Sequence, residues 1–174
     1  KAHKVPGTIA VSGGKDRMII RKATKDDYEG IVALHLESDR FHAEREPWIY
    51  QKTSDAHRDR EYIGSQIDDP KALFLVAEID GEVSGFLYGY EEEKGFLPFH
   101  RKRTFFTLDN LAVLESRRRQ GIGKGLLEKA IEYARDRRYD DIILNVYCFN
   151  EEAIGLYAGA GFKPLTQDMI LKLR

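Results

Sequence analysis

The chain has 174 residues, 42% of them hydrophobic and 33% charged, so it can fill one core and still solvate its surface. A formal net charge of -1 argues against a nucleic-acid binder working by bulk charge; no apolar run is long enough to cross a bilayer, and no secretory leader is expected. The one cysteine, Cys148, cannot form a disulfide within the chain, which favours a reducing, cytoplasmic setting and a role as buried or half-buried filler.

Residues 1–17 read as a flexible N-terminal arm, with 8–11 able to pair, ahead of a single domain over 18–174. Residues 18–21 form a short strand. Thr24 then offers an N-cap oxygen, and Asp26 and Asp27 fall in a first helical turn, where the dipole favours acid. Tyr28, Ile31, Val32 and His35 recur at three and four residues and make one apolar stripe, with His35 at its edge. Residues 40–70 contain the only tryptophan, Trp48, and a break at Pro47, with a helix expected near 59–66. Trp48 and Tyr50 are either core aromatics or a substrate-facing wall, since long irregular segments often carry binding sites.

A hairpin follows: strand 73–79, a tight turn at Asp80 and Gly81, and a return strand over 82–90. After a loop around 95–102 comes a strand over 104–113 whose parity is inconsistent. Phe106 and Leu108 share one face and Leu111 and Val113 the other, so an inserted residue near Asp109 and Asn110 is needed to turn all four to one core. The rival explanation is a strand buried on both faces. Residues 124–137 read as an amphipathic helix, 141–148 as a strand, 151–158 as a helix capped by Asn150 and stopped by Gly159 and Gly161, and 167–173 as a closing strand. The element order predicts an α/β (α+β) fold with a mixed, mostly antiparallel sheet flanked by helices.

The stretch 108–131 carries the chemistry. It runs from a strand through a basic, glycine-containing loop into a helix. Unpaired N–H groups and the positive dipole end at such a helix start suit a pyrophosphate, and Gly121 and Gly123 let it approach the backbone. Arg117, Arg118, Arg119 and Lys124 add charge. Lys124 is followed by Gly125 rather than Ser or Thr, so this is no P-loop, and the glycine spacing is wrong for a dinucleotide fingerprint.

Arg118–Gly123 matches the Gln/Arg-x-x-Gly-x-Gly/Ala signature, and Asn150, Ala153, Leu156, Tyr157, Gly161 and Phe162 match a second segment, N-x-x-A-x-x-L-Y-x-x-x-G-F. Together they resemble the GCN5-related N-acetyltransferase (GNAT) superfamily; Arg119 departs from the glycine that many members have there. The resemblance implies acetyl-CoA as co-substrate, with no metal, and direct transfer to a primary amine in a ternary complex. It implies pantetheine contacts at Leu111, Ala112, Val113 and Asn150, and pyrophosphate contacts at Arg118, Arg119, Gln120, Gly121, Ile122, Gly123 and Lys124. It makes Tyr157 the general acid, and it leaves a homodimer open.

Asp109 is the expected base, because a carboxylate inside an apolar strand needs a reason. It also occupies the place of a carboxylate in diamine/polyamine-type members, in a weak match around Leu108, Asp109 and Asn110. His42 and Glu46 are expected on the acceptor side. The acceptor is a small-molecule or protein/peptide amine, with no nucleic-acid or membrane partner. A non-catalytic acyl-CoA-binding or scaffold protein is the alternative.

Overall fold

The computed structural model describes residues 10–11, 18–52, 59–94 and 98–173. Strands β1 (Ala10–Val11), β2 (Met18–Lys22), β3 (Ala72–Ile79), β4 (Glu82–Lys94), β5 (Arg103–Val113) and β6 (Asp141–Leu144) form one sheet in that spatial order. Every neighbouring pair is antiparallel except β5 with β6, as expected for the mixed sheet. Helices α1 (Tyr28–Arg45), α2 (Arg60–Asp68), α3 (Ile122–Asp136) and α4 (Glu151–Gly159) flank it. Of the arm, Ala10 and Val11 pair with Ile19 and Met18; the rest of residues 1–17 lies outside the described residues.

Each face of the sheet has its own core. Leu73, Leu75, Ala77 and Ile79 of β3 pack with Leu126, Leu127 and Ala130 of α3. Phe74 and Val76, of opposite parity, pack with Ile31 and Leu34 of α1 and Ile63 of α2. A strand covered on both sides reads as a continuous apolar run, which is how 73–79 appears in the sequence. Asp80 and Gly81 both have positive φ, 52° and 83°, the twist a two-residue hairpin turn needs.

The parity conflict in β5 resolves as a bulge. Leu108 pairs with Gly89 and Asn110 with Tyr88, so Asp109 is the extra residue. Phe106, Leu108, Leu111 and Val113 consequently all reach the α3-side core, while Ala112 packs on the opposite one. Gly89 makes this possible: a Cβ there would stand 2.5 Å from the Phe106 ring and 2.7 Å from the Thr107 carbonyl oxygen. Phe105 and Phe106 are both buried, so the first half of β5 is also covered on both faces.

Thr24 stands at the N-cap as expected, of a short 3-10 turn (Lys25–Asp27) that leads into α1, and its N–H donates to the Asp27 carboxylate at 2.7 Å. Arg21 donates to the same carboxylate through both terminal nitrogens and to Glu78. Burial works to raise the Asp27 pKa, but Arg21 and Thr24 outweigh it and hold the carboxyl below its usual value.

Several expectations are corrected. The first helix continues through Arg45, so 40–45 is not irregular. His35 is fully inside, its ring 4.7 Å from that of Phe86, rather than at a stripe edge. The helix expected from 124 starts at Ile122. Only Asp141–Leu144 of the strand expected over 141–148 is paired, and Cys148 beyond it is exposed. Residues 167–173, expected as a closing strand, pair with no strand among the described residues.

Candidate active site

The bulge and the short length of β6 together open the sheet. On one edge β5 pairs with β4 down to Val113, but on the other β6 follows it only from Phe105 to Leu108. From Asp109 onward that edge of β5 faces a cleft of about 660 Å³ rather than a neighbouring strand. The opposite wall is the chain just after β6, at Asn145, Val146 and Tyr147, with Asn150 and the first turns of α4.

The floor is the start of α3. Gly121 precedes it in a left-handed conformation, φ 85°, and a Cβ built there would meet nothing within 4 Å. The first helical N–H donor with a partner inside the helix is that of Gly125, which bonds the Gly121 carbonyl at 2.9 Å. The N–H groups of Ile122, Gly123 and Lys124 precede it and by helix geometry have no acceptor within the helix. Arg119 is also left-handed, φ 60°, at the position where family members often carry glycine. Arg118 lies 3.8 Å from Glu37 and 3.8 Å from Glu152, tying α1 to α4 across the cleft.

Helix α1 forms the remaining wall through Leu34, Glu37, Ser38, Asp39, Phe41 and His42. The His42 ring sits among Phe41, Tyr50, Tyr147 and Phe149, with centroids 5.5 to 5.9 Å away. Its Nδ1 is 2.8 Å from the Ser38 carbonyl oxygen. A carbonyl can only accept, so Nδ1 carries a proton, and when the ring is neutral its lone pair is on Nε2. The Tyr50 and Tyr147 hydroxyls are 2.6 Å apart; that hydrogen bond, with burial, pushes the Tyr50 hydroxyl up to about 12. Tyr50 is therefore a cleft residue, whereas Trp48 is exposed and belongs to neither expected alternative.

Tyr157 lines the cleft from α4 and is 9% exposed, its ring 5.8 Å from that of Phe162. Burial pushes its hydroxyl up to about 12. Asn150 caps α4, its Oδ1 accepting from the Ala153 N–H at 3.2 Å. Asp109 is on the wall, but its side chain is exposed at the bulge and takes a hydrogen bond from Asn110 Nδ2 at 2.6 Å. The burial argument for it therefore does not hold.

The cleft brings together Asp109, Leu111, Ala112, Val113, Arg118, Arg119, Gly121, Ile122, Gly123, Lys124, Asn150, Tyr157 and His42. Gln120 and Glu46 are not among its lining residues; Glu46 accepts from the Trp48 indole instead. Glu37, Asp39 and Tyr147 were missed, whereas Tyr50 takes the second of its two expected places. The spacing of Leu34, Ser38, Phe41 and His42 marks one helical face, the available signal for α1. Nothing local announces Tyr147, whose place follows from β6 ending early. Among the described residues no three metal-ligating side chains come together, and no helix is long and apolar enough to cross a membrane.

Residues 29–162 match a family model described as the acetyltransferase (GNAT) family. An uncharacterized N-acetyltransferase of Archaeoglobus fulgidus is 37% identical over 120 residues, 69% of this chain and 76% of that protein. N-acetyltransferase 8F1 of Mus musculus is 35% identical over 96 residues, 55% of this chain but only 41% of its own length. The tetramutant of the BH1408 protein from Bacillus halodurans superimposes with a TM-score of 0.83 at 28% identity, over 89% of this chain and 99% of that one. An aminoglycoside N-acetyltransferase in complex with CoA shares the fold, with a TM-score of 0.66 at 15% identity over 94% and 99%. The match over residues 29–162 and the shared architecture establish that the chain belongs to the GNAT family of acetyltransferases.

Proposed function

We propose that the chain moves an acetyl group from acetyl-CoA to a primary amine by direct attack with both substrates bound. The observation that carries this reading is the meeting of two backbone features in one cleft: the edge of β5 that β6 leaves uncovered and the glycine-started N-terminus of α3. Leu111, Ala112 and Val113 suit the amides of a pantetheine arm added like a strand. The first N–H groups of α3, with Arg118, Arg119 and Lys124 beside them, suit a pyrophosphate. The open space over Gly121 leaves room for phosphate oxygens. Asn150 keeps its Nδ2 for the pantetheine side while Oδ1 caps α4.

Bound acetyl-CoA supplies a thioester acyl group and a thiol leaving group. In the balanced transfer an N–C bond forms, the C–S bond breaks, one proton leaves nitrogen and one reaches sulfur. Before that transfer His42, whose ring lines the cleft and whose Nδ1–H is fixed on the Ser38 carbonyl, takes through Nε2 the extra proton that an ammonium must lose to become a nucleophile. Asp109, Glu37 and Asp39 give that wall the charge to attract a cation. The Tyr157 hydroxyl remains protonated at any working pH and donates to the departing sulfur. A thiol titrates near about 8.5, so full loss of the phenol proton is uphill. Tyr157 therefore stabilises sulfur mainly as a hydrogen-bond donor, and the proton released by nitrogen restores the balance.

The acceptor is a small-molecule amine or a protein or peptide amine. The chain is read as one domain over 18–174 working in the cytoplasm, with Cys148 reduced. Titration calorimetry with acetyl-CoA, with ATP and NAD as controls, tests the cofactor. Thiol release with a polyamine, a lysine peptide, a peptide with a free N-terminus and an aminoglycoside then tests transfer. Selective acetyl-CoA binding followed by turnover supports the reading. A folded protein that ignores acetyl-CoA refutes it, and binding without turnover on any amine would favour the scaffold alternative.

A further inference from the structure

Acidic surface continues beyond the rim of the cleft. Asp109 lines the cleft from the bulge in β5, opposite the step between Tyr88 and Gly89 of β4. Tyr88 belongs to the core on the α1 and α2 side. It is 9% exposed, its ring 5.3 Å from that of Phe74 and 6.0 Å from that of Tyr90. Among the described residues its hydroxyl makes no hydrogen bond, although a buried phenol oxygen ordinarily finds one. Burial pushes that hydroxyl up to about 12, and the charges that add to the effect are those of Asp69, the residue that ends α2, and Asp109. The unbonded phenol therefore lies in the field of two carboxylates.

Neither carboxylate is neutralised. Asp69 accepts from the Lys71 backbone N–H at 2.8 Å and Asp109 from Asn110 Nδ2; both donors are neutral, and among the described residues no cation pairs with either acid. Both are exposed. Strand β4 lies between β3 and β5, and Asp69 stands just ahead of β3, so two strand spacings put the acids on the order of 10 Å apart. Beside Tyr88 lie Tyr90 and, on α2, Tyr62, which is 50% exposed. Since β4 is paired on both edges, the backbone here offers no strand edge for a peptide to join. What it does offer is aromatic surface for methylene groups and a carboxylate at each end for positive charge.

We propose that the strip from Asp109 over Tyr88 to Asp69 is a distal ammonium subsite, and that the acceptor is a linear aliphatic amine carrying a second positive charge along its chain. The reacting nitrogen sits in the cleft beside His42, where it loses its extra proton. The second nitrogen keeps its own, donates to the Asp69 carboxylate, and finds in the Tyr88 oxygen an acceptor that nothing else uses. The tyrosine rings cover the methylene groups between the two. A sugar-built amine fits the strip poorly, because each of its hydroxyls would need a partner where the surface is mostly ring. The subsite rests on the acetyl-transfer reading for the place of the reacting nitrogen, and on Tyr88, Asp69 and Tyr62, which that reading does not use, for the rest.

Steady-state thiol release on the full chain compares spermidine with nonylamine, unbranched chains of equal length of which only the first carries further nitrogens. The parent should favour spermidine in kcat/KM. Asp69→Asn, which keeps an oxygen for the Lys71 N–H, should cut that preference about tenfold, through the KM for spermidine and not through kcat. Asp68→Asn removes a neighbouring charge already paired with Lys25 and should leave the preference as it was. Equal efficiency on both amines overturns the subsite and leaves acetyl transfer standing. So does a preference that Asp69→Asn does not change, or that Asp68→Asn lowers as much. Calorimetric titration of the CoA-loaded protein with spermidine reads the subsite without turnover. Absence of binding, or binding that Asp69→Asn does not weaken, overturns it even where the transfer reading itself fails.

Discussion

Removing one oxygen atom from the cleft isolates the role given to Tyr157. Tyr157→Phe keeps the ring, its packing beside Phe162 and the apolar surface buried at that position. What disappears is a donor aimed at a sulfur that gains charge as it leaves. A hydrogen bond to a charged group contributes about 1.5–3 kcal/mol, which corresponds to a fall in kcat of about 10- to 150-fold. The KM for acetyl-CoA should stay within about twofold, because the lost bond belongs to the transition state rather than to the bound ground state.

The assay is steady-state thiol release at saturating amine and acetyl-CoA across pH. The pH sign follows from the raised pKa. A phenol at about 12 keeps its proton at all lower pH, so it produces no basic limb between pH 7 and 10 in the parent enzyme. Any limb there must persist in Y157F. The neutral form is favoured by folding, so this group's contribution to stability is fully present below its ordinary value near about 10. It is lost as pH rises toward about 12. A Y157F enzyme with more than half the parental kcat, or one that loses a basic limb the parent shows, would refute the assignment.

Three further outcomes are expected. His42→Gln should lower kcat/KM for a lysine-like amine about 100-fold at pH 7, with the deficit shrinking as pH approaches the amine's own pKa, while Asp109→Asn costs far less; the reverse order would return the base to Asp109. Gly89→Ala should destabilise the fold by about 2–3 kcal/mol, read by denaturant unfolding, because its Cβ meets the Phe106 ring and an unyielding carbonyl oxygen. Tyr133→Phe should stabilise by about 1 kcal/mol, seen as a higher Tm, since the Tyr133 hydroxyl is buried without a hydrogen-bond partner.

Much of the site was legible because the features that build it leave marks along the chain. A bulge shifts side-chain parity by one, so the conflict between Leu108 and Leu111 points to Asp109 or Asn110, and the strand register makes it Asp109. The loop before α3 announces itself through glycine and arginine, although the left-handed φ at Arg119 does not: a bulky residue there hides the conformation that glycine would have advertised. Asp109 shows the limit of reading burial from sequence neighbours. Apolar residues on either side suggested an enclosed carboxylate, but a bulged residue leaves the pleat, and its side chain is exposed on the cleft wall.

The C-terminal region separates two things that a strand requires. Apolar content says which side chains want cover, and residues 167–173 carry it in Met169, Ile170, Leu171 and Leu173. A ladder also needs an edge within reach, and no local pattern encodes whether that edge belongs to the same molecule. The shortness of β6 has a related cause: past Leu144 the chain leaves β5 to form the far wall of the cleft, so Asn145, Val146 and Tyr147 give up strand pairing to line the site. An apolar run can therefore be read correctly for what it buries and wrongly for what it bonds. In this fold the opening of the sheet at β6 exposes the cleft on one side and, among the described residues, leaves the outer edge of β6 without a strand on the other.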